Sequence, residues 1–504
     1  MVPSLSRSWL LISILSLLSL TPLAATREGE TAQVEALLHP SGSQDSHAVH
    51  EQVIIGLDNN VAIAAATVCE GPTEECSSRH RDEKEKLMRR IARDQGTWNA
   101  NHPRWRLLKA IDGFRSYRDV NKAEVDRWRE AYRHVGKDQK KLLESTAAAI
   151  NYRQKLNDLD HLIDRNGLLC DGIAQHAQSF YGVGAAELEA FARDEQEAGR
   201  APERVSVVQA LKHYVRDWAA EAGARERDPT FPCLLRTLAR LHPDRPLDGG
   251  GSSNNNNNNN ATVPRPRVLL PGAGLGRLGY EVAELGGFEV TINEWSTYMI
   301  AAYRYLEANH APGSHAFHPF IDSLSHHATT ADLKRQVQFP EPQQPDADAD
   351  AAAVLINDPS RVLLVEGDFT TVFSSSPDEE EQKYDVIVTY FFLDTARNLL
   401  TYLDTISRLL RPGGHWLNLG PLLYGTGPWV QLSLDEIVRV SEAMGFEFLD
   451  LDPVCGEPTF PDDVGEGAGG LGKVRGKEAV YGSNARGLTK SSYVAQSWVA
   501  RKAA

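Results

Sequence analysis

Across about residues 82–241, apolar positions recur three and four apart: Trp105, Leu108 and Ile111, then Val125, Trp128 and Tyr132, then Leu156, Leu159 and Leu162. β-Branched runs and proline are scarce there, so this period predicts several amphipathic helices whose charged faces are solvated. Residues 207–218 predict one more, ending in Arg216, Asp217 and Trp218. Past residue 262 the pattern shortens. Apolar runs at 267–271, 289–293, 361–365, 384–390 and 415–419 alternate with helical patterns such as 280–285 and 399–410. Short strands alternating with helices predict an α/β fold with a doubly wound, Rossmann-like, mostly parallel sheet beside a helical N-terminal region. Residues 493–499 are expected to form a last strand entering antiparallel.

The ends and joints of the chain carry no such period. Arg7, an apolar run over residues 9–20 and the small residues 21–25 follow the order of a signal peptide or signal anchor; a misplaced start or a tail is the alternative. Twelve apolar residues fall short of the roughly 20 that span a bilayer, so membrane association through this segment would be marginal. Residues 26–80 form a variable, poorly ordered leader, 81–246 the helical region and 263–504 the α/β domain. Between them, residues 247–262 hold three glycines, two serines and the asparagines 254–260, a low-complexity linker. Residues 343–353, alternating Asp and Ala, form a loop insertion.

Composition narrows the chemistry. The 504 residues carry 53 Lys and Arg against 68 Asp and Glu, a net charge of −15, so phosphate-backbone binding to nucleic acid is not expected. Five cysteines, odd in number and scattered, match neither a disulfide framework nor a zinc site, and no metal is expected.

The run 267–271 meets Gly272-Ala273-Gly274-Leu275-Gly276-Arg277-Leu278-Gly279 before a helical pattern. Strand, glycine turn and helix suit a nucleotide-type ligand approaching main-chain N–H groups, with a tight structural turn as the alternative. Glu294 ends the second strand about 20 residues on, where an acid can accept ribose hydroxyls. Asp368 and Phe369 follow the third strand, offering a carboxylate and an aromatic wall to adenine. Arg411-Pro412-Gly413-Gly414 makes a sharp turn before the fifth. This ordered set resembles the class I S-adenosylmethionine-dependent methyltransferases. An NAD-dependent oxidoreductase is disfavoured, since no nicotinamide-side catalytic pair is present.

The longer motifs are narrower still. Arg216-Asp217-Trp218, Pro271 to Leu278, Asn293-Glu294-Trp295-Ser296, Gly367-Asp368-Phe369, Phe391-Phe392-Leu393-Asp394-Thr395-Ala396 and Asn418 to Tyr424 together resemble the carnosine N-methyltransferase family, also called N2227-like. The resemblance implies methyl transfer from S-adenosyl-L-methionine to an imidazole nitrogen of a histidine-containing dipeptide, carnosine to anserine. Protein histidine, or cofactor binding with a decayed substrate site, are the alternatives. It places Arg216 at the cofactor's methionine end, His213 where relatives carry glutamine, Gly272 and Gly274 in the loop, Glu294 on the ribose, Asp368 and Phe369 at adenine, and Tyr390 along the same pocket. It makes Asp394 the catalytic and substrate-binding acid and Tyr493 a substrate contact. Taken alone, Asp394 reads as a helix N-cap, Tyr493 as a sheet-face residue and Arg216 as a surface or salt-bridged arginine. Gly425 replaces a family histidine and Ser491 a frequent tyrosine. Cytosol and nucleus follow from the resemblance, the secretory pathway from the leader; oligomeric state stays open, with a homodimer as one option.

Overall fold

The computed structural model describes residues 77–145, 149–247, 264–341, 358–373, 384–425, 427–461, 469–482 and 484–503. The expected signal segment, most of the leader, the asparagine linker and the 343–353 insertion lie outside them. Among the described residues no helix is long and apolar enough to cross a membrane.

The front half winds as its period predicts, into α1 (Ser78–Arg90), α2 (Pro103–Arg115), α3 (Tyr117–Arg133), α4 (Lys137–Ser145), α5 (Tyr152–Tyr181), α6 (Ala185–Glu197) and α7 (Val205–His213). The caps are local. His102 accepts the Arg104 N–H ahead of Pro103 in α2, and Asn151 accepts the Gln154 N–H at the start of α5. Gly182, at φ +59°, ends α5 in the left-handed region.

The helix expected to continue through Trp218 does not. Tyr214–Trp218 is a π-helical turn, followed by α8 (Ala220–Leu241). Side chains pull the backbone wide: the Tyr214 hydroxyl donates to the Ala302 carbonyl (2.7 Å) and the Trp218 indole to the Leu275 carbonyl (2.9 Å). Carbonyls freed by the wider winding are met by Arg227 Nη1, which donates to Arg216 O (2.8 Å) and Ala219 O (3.0 Å).

Beyond the linker come β1 (Arg267–Pro271), α9 (Arg277–Glu284), β2 (Glu289–Glu294), α10 (Thr297–Ala308), β3 (His315–Phe317), α11 (Thr330–Lys334), β4 (Val337–Phe339), β5 (Val362–Glu366), α12 (Phe369–Val372) and β6 (Tyr384–Tyr390). Then follow α13 (Leu399–Leu409), β7 (Leu410–Gly420), α14 (Leu434–Ala443), β8 (Phe446–Leu449), β9 (Glu457–Pro458), β10 (Arg475–Val480) and β11 (Ser492–Lys502). The main sheet runs β5-β2-β1-β6-β7-β11-β10-β9, with β8 also on β11. The pairs β5/β2, β2/β1, β1/β6 and β6/β7 are parallel, and β11 enters antiparallel to β7. The Pro-Gly-Gly turn is an excursion inside β7: Tyr384 pairs with Leu410, yet Val386 pairs with His415.

Successive strand residues point to opposite faces, and each face has its own core. Val268 and Leu270 join Ile111, Leu159, Tyr214, Ile300 and Leu417 on the face covered by the helical half and α10. Leu269, Ile387 and Trp416 join Leu403, Ile406 and Ile437 of α13 and α14 on the other. Strand order reverses between β1 and β6, and the crevice of such a sheet opens at the carboxyl ends of those strands.

The expectation of no disulfide is corrected. Cys233 of α8 bonds Cys455 in the short turn Pro453–Cys455, with Cα atoms 4.7 Å apart. A separation of 222 residues hides the pair from spacing rules. Cys170 is buried and free.

Candidate active site

The loop after β1 is built around three left-handed glycines, Gly272 (φ +67°), Gly274 (+58°) and Gly276 (+79°). Each also faces a neighbour. A Cβ on Gly272 would drive into the Phe392 ring; one on Gly274 would lie 3.2 Å from His213 Nδ1, and one on Gly276 2.6 Å from Tyr303. Glycine is therefore required twice over, by conformation and by space.

The N–H groups of this loop are not left for a ligand, contrary to the simplest expectation for a glycine turn. Gly274 donates to Glu294 Oε2 (2.9 Å) and Leu275 to Asp217 Oδ2 (3.1 Å). The π turn grips Leu275 from both sides, Asp217 taking its N–H while Trp218 donates to its carbonyl. His213 reaches the same spot: its Nδ1 lies 3.5 Å from Asp217 Oδ2 and has no hydrogen-bond partner although it is buried. Burial pushes the Asp217 carboxyl up, but His213, Arg216 and the Leu275 N–H outweigh it and hold the group below its ordinary value.

Arg216 is not a surface arginine. Its Nε lies 3.3 Å from Glu226 Oε2 and 3.8 Å from Asp217 Oδ1, and its guanidinium lies 4.8 Å from the Tyr481 ring centre and 5.5 Å from Phe391. Burial opposes the charge, yet the phenols of Tyr481 and Tyr390 and the two carboxylates hold it on.

At the ends of β2 and β5 the second and third acids sit side by side. Glu294 Oε1 accepts the Trp295 (2.7 Å) and Ser296 (2.8 Å) N–H groups. Asn293 ties its strand to the next by donating to the Val365 and Gly367 carbonyls, both at 2.9 Å. Asp368 is exposed, and its Oδ1 caps α12 through the Thr370 N–H (2.8 Å). Phe369, expected as an aromatic wall, is 3% exposed and packs edge-on against Phe373, Phe392 and Tyr402. It lies behind the surface because a helix starting at Asp368 turns the next side chain inward.

Arg106 of α2 reaches this corner, its guanidinium 3.8 Å above the Trp295 ring and donating to the Trp295 carbonyl. Burial lowers its pKa to about 10 against the pull of Asp368 and Glu294.

β6 ends in Tyr390, whose hydroxyl meets Thr230 Oγ1 of α8 (3.1 Å). The chain then bends through Phe391 at φ +50°, a strained value for an aromatic residue. The Phe391 N–H donates to the Leu419 carbonyl (2.9 Å), and the missing side chain of Gly420 leaves room: a Cβ there would sit 2.9 Å from Phe391 N. Phe391 stacks on Tyr481 (5.5 Å, 9°) and meets Tyr493 edge-on (6.2 Å).

Asp394 lies in the single turn Leu393–Thr395, whose cap position belongs to Phe392, and Asn398 stands at the cap position of α13. The N-cap reading of Asp394 is thus corrected. Burial pushes its carboxyl up to about 6, opposed by its own N–H and that of Leu423. The Tyr402 hydroxyl is raised by burial, with Thr395 opposing and the charges of Asp368, Glu294 and Asp394 adding to it, and its ring stacks on Phe392. Gly425 donates its N–H to the Asp394 carbonyl (3.3 Å), and nothing lies within 4 Å of where its Cβ would be.

A family model described as carnosine N-methyltransferase matches residues 195–504. The chain belongs to the carnosine N-methyltransferase family. The Schizosaccharomyces pombe carnosine N-methyltransferase is 29% identical over 358 residues, covering 68% of this chain and 87% of that relative. The Mus musculus carnosine N-methyltransferase is 30% identical over 349 residues, covering 67% and 77%. A glycopeptide N-methyltransferase solved with S-adenosyl-L-methionine is 15% identical, covers 55% of this chain and 95% of its own, and has a TM-score of 0.25, too low to carry an argument.

In this member of the carnosine N-methyltransferase family, His213, Gly272, Gly274 and Glu294 gather at the glycine loop, with Asp368 at the corner beyond, while Arg216 lies beside Glu226 among the rings of Tyr390, Phe391 and Tyr481. Tyr390, Asp394 and Tyr493 gather around Phe391. Phe369 stands behind both groups. Arg106, Glu226, Tyr402 and Tyr481 escaped the sequence reading, since none belongs to a motif and each sits in a run of ordinary helical or strand pattern; only Tyr481, aromatic after the apolar end of β10, left a faint sign.

Proposed function

We propose that the chain transfers a methyl group from S-adenosyl-L-methionine to an imidazole nitrogen of a histidine-containing dipeptide of the carnosine type. The observation that carries the cofactor is the acid-lined glycine loop. With the Gly274 and Leu275 N–H groups bound to Glu294 and Asp217, the loop presents carboxylates where a pyrophosphate would need donors. A ligand bearing a sulfonium, an ammonium and ribose hydroxyls suits that lining. When bound, it supplies an electrophilic methyl group.

The chain's own residues then have positional tasks. Arg216 would hold the methionine carboxylate, and Glu294, which accepts one N–H on Oε2 and two on Oε1, would take a ribose hydroxyl on the position left at Oε2. Asp394, ionised above about pH 6, would accept the imidazole N–H, fix the tautomer so that the other nitrogen attacks, and stabilise the cation that develops. Tyr493 and Phe391 would wall the ring and keep water out.

The test is incubation with labelled S-adenosyl-L-methionine and a panel of histidine dipeptides, alongside calorimetry with S-adenosylhomocysteine and NAD. Label on the imidazole is expected. Tight NAD binding without response to S-adenosylhomocysteine refutes the cofactor; cofactor binding without turnover of any imidazole supports a decayed substrate site.

For compartment, the Cys233–Cys455 bond favours the secretory alternative over cytosol and nucleus, because reduced compartments rarely sustain disulfides. Asn260-Ala261-Thr262 is a glycosylation sequence. A glycosidase-sensitive mass shift lost in Asn260→Gln is the expected result, and a C-terminal fusion spread through cytosol and nucleus refutes it.

A further inference from the structure

α8 meets the site through three consecutive contacts. Thr230 reaches the Tyr390 hydroxyl, Arg227 holds the Arg216 carbonyl, and Glu226 lies beside the Arg216 guanidinium. Glu226 is 2% exposed and has two different neighbours. Its Oε1 accepts the Gly482 N–H (3.0 Å), while Oε2 lies 3.3 Å from Arg216 Nε without a hydrogen bond to any group. Gly482 follows Tyr481, whose ring covers Arg216 and stacks on Phe391. One carboxylate therefore touches the arginine assigned to the methyl donor and the backbone beside the aromatic wall assigned to the acceptor.

We propose that Glu226 is a positioning residue for methyl transfer, orienting Arg216 with one oxygen and fixing Tyr481 over it with the other. A buried acid placed only for stability would be better replaced by an apolar side chain, since an unmade bond on a buried carboxylate oxygen is costly. Oε2 becomes useful when a ligand carboxylate draws the guanidinium edge forward and Nε swings into line with Glu226. Burial pushes this carboxyl up and Arg216 pulls it down, the mutual dependence expected of such a pair.

The inference rests on the reading of Arg216 as the cofactor's anchor, and two variants separate it from that reading. Glu226→Gln keeps an oxygen for Gly482 but turns an amide donor toward Arg216 Nε, so donor faces donor. S-adenosylhomocysteine affinity is expected to fall ~10-fold, with the acceptor KM changed by less than ~2-fold. Glu226→Ala releases both contacts and is expected to weaken cofactor affinity and raise the acceptor KM together; should it fail to fold, the Gln variant decides. In an Arg216→Lys background the Gln substitution should add little further loss. Wild-type chain that binds no S-adenosylhomocysteine overturns the cofactor reading and this proposal with it. Normal wild-type binding with an unchanged Gln variant, or a full additive loss in the Lys background, overturns the positioning role alone. A lower melting temperature with unchanged binding constants does the same.

Discussion

Replacing Asp394 by Asn is expected to move stability and activity in opposite directions. The folded carboxyl titrates near 6 against an ordinary value of 3.8. Two units at about 1.4 kcal/mol each give an upper figure of roughly 3 kcal/mol that the ionised group costs the folded state. Between pH 3.8 and about 6 the native chain binds more protons at this site than the unfolded chain does. Stability therefore falls as pH rises through that window, and the whole cost is present above it. Asn is neutral throughout and keeps an oxygen for the Leu423 N–H. Asp394→Asn should melt a few degrees above wild type at about pH 7.5 and converge with it toward the acid end of the window. Methyl transfer should meanwhile drop by ~10²-fold or more, since the amide cannot neutralise a developing imidazolium. Thermal denaturation across a pH series, with labelled-methyl transfer on the same preparations, measures both. A variant that melts at or below wild type near neutral pH, or one that keeps its turnover, refutes the assignment of Asp394 as a destabilised, working acid.

Gly272→Val must force a left-handed backbone on a β-branched residue and push into Phe392, so calorimetric binding of S-adenosylhomocysteine should vanish while the far-ultraviolet spectrum stays helical. Arg106→Ala removes the cation over Trp295 and the charge facing Glu294 and Asp368; S-adenosylhomocysteine affinity should change by ~3-fold or more and Trp295 fluorescence should shift, whereas an unchanged affinity and spectrum would confine Arg106 to packing. Alkylation of the denatured, unreduced chain should leave Cys233 and Cys455 unlabelled until reductant is added, and reduction should lower the melting temperature, a 222-residue separation being worth up to roughly 5 kcal/mol in the chain-entropy model.

Local patterns made the framework readable. The boundaries expected for β1, β2 and β6 coincide with those observed, because each is a short apolar run buried almost throughout in the middle of the sheet. The antiparallel entry expected of the last strand is observed as well. The π turn was not. A run such as Tyr214–Trp218 has ordinary helical spacing, and its widening is imposed by Ala302, Leu275 and Arg227, all of them tertiary partners. The same limit hid the Cys233–Cys455 pair and the roles of Glu226 and Arg106. A buried acid and an arginine on a helix look like any solvated pair until the sheet is packed beneath them. Asp394 shows the reverse case: as an isolated Asp-Thr-Ala it reads as a cap, and only the placement of Asn398 at the start of α13 removes that alternative.

The acids also explain why the glycine motif alone could not identify the ligand. A G-x-G-x-x-G turn supplies donors at a helix N-terminus, and bare donors favour phosphate. Here Asp217 comes from the π turn and Glu294 from the end of β2, and each takes one of those N–H groups. On the proposed reading, what would reach a ligand there is carboxylate oxygen in place of a positive nest. The preference is set by residues 55 or more positions before the loop and 20 after it. Arg216, held by Glu226 and Asp217, is the basic group set against these acids, where a ligand carrying both an ammonium and a carboxylate needs one. On the proposed reading, selectivity between a dinucleotide and a sulfonium amino acid would reside in who satisfies the loop's donors, a property of the assembled fold that no reading of the glycines by themselves contains.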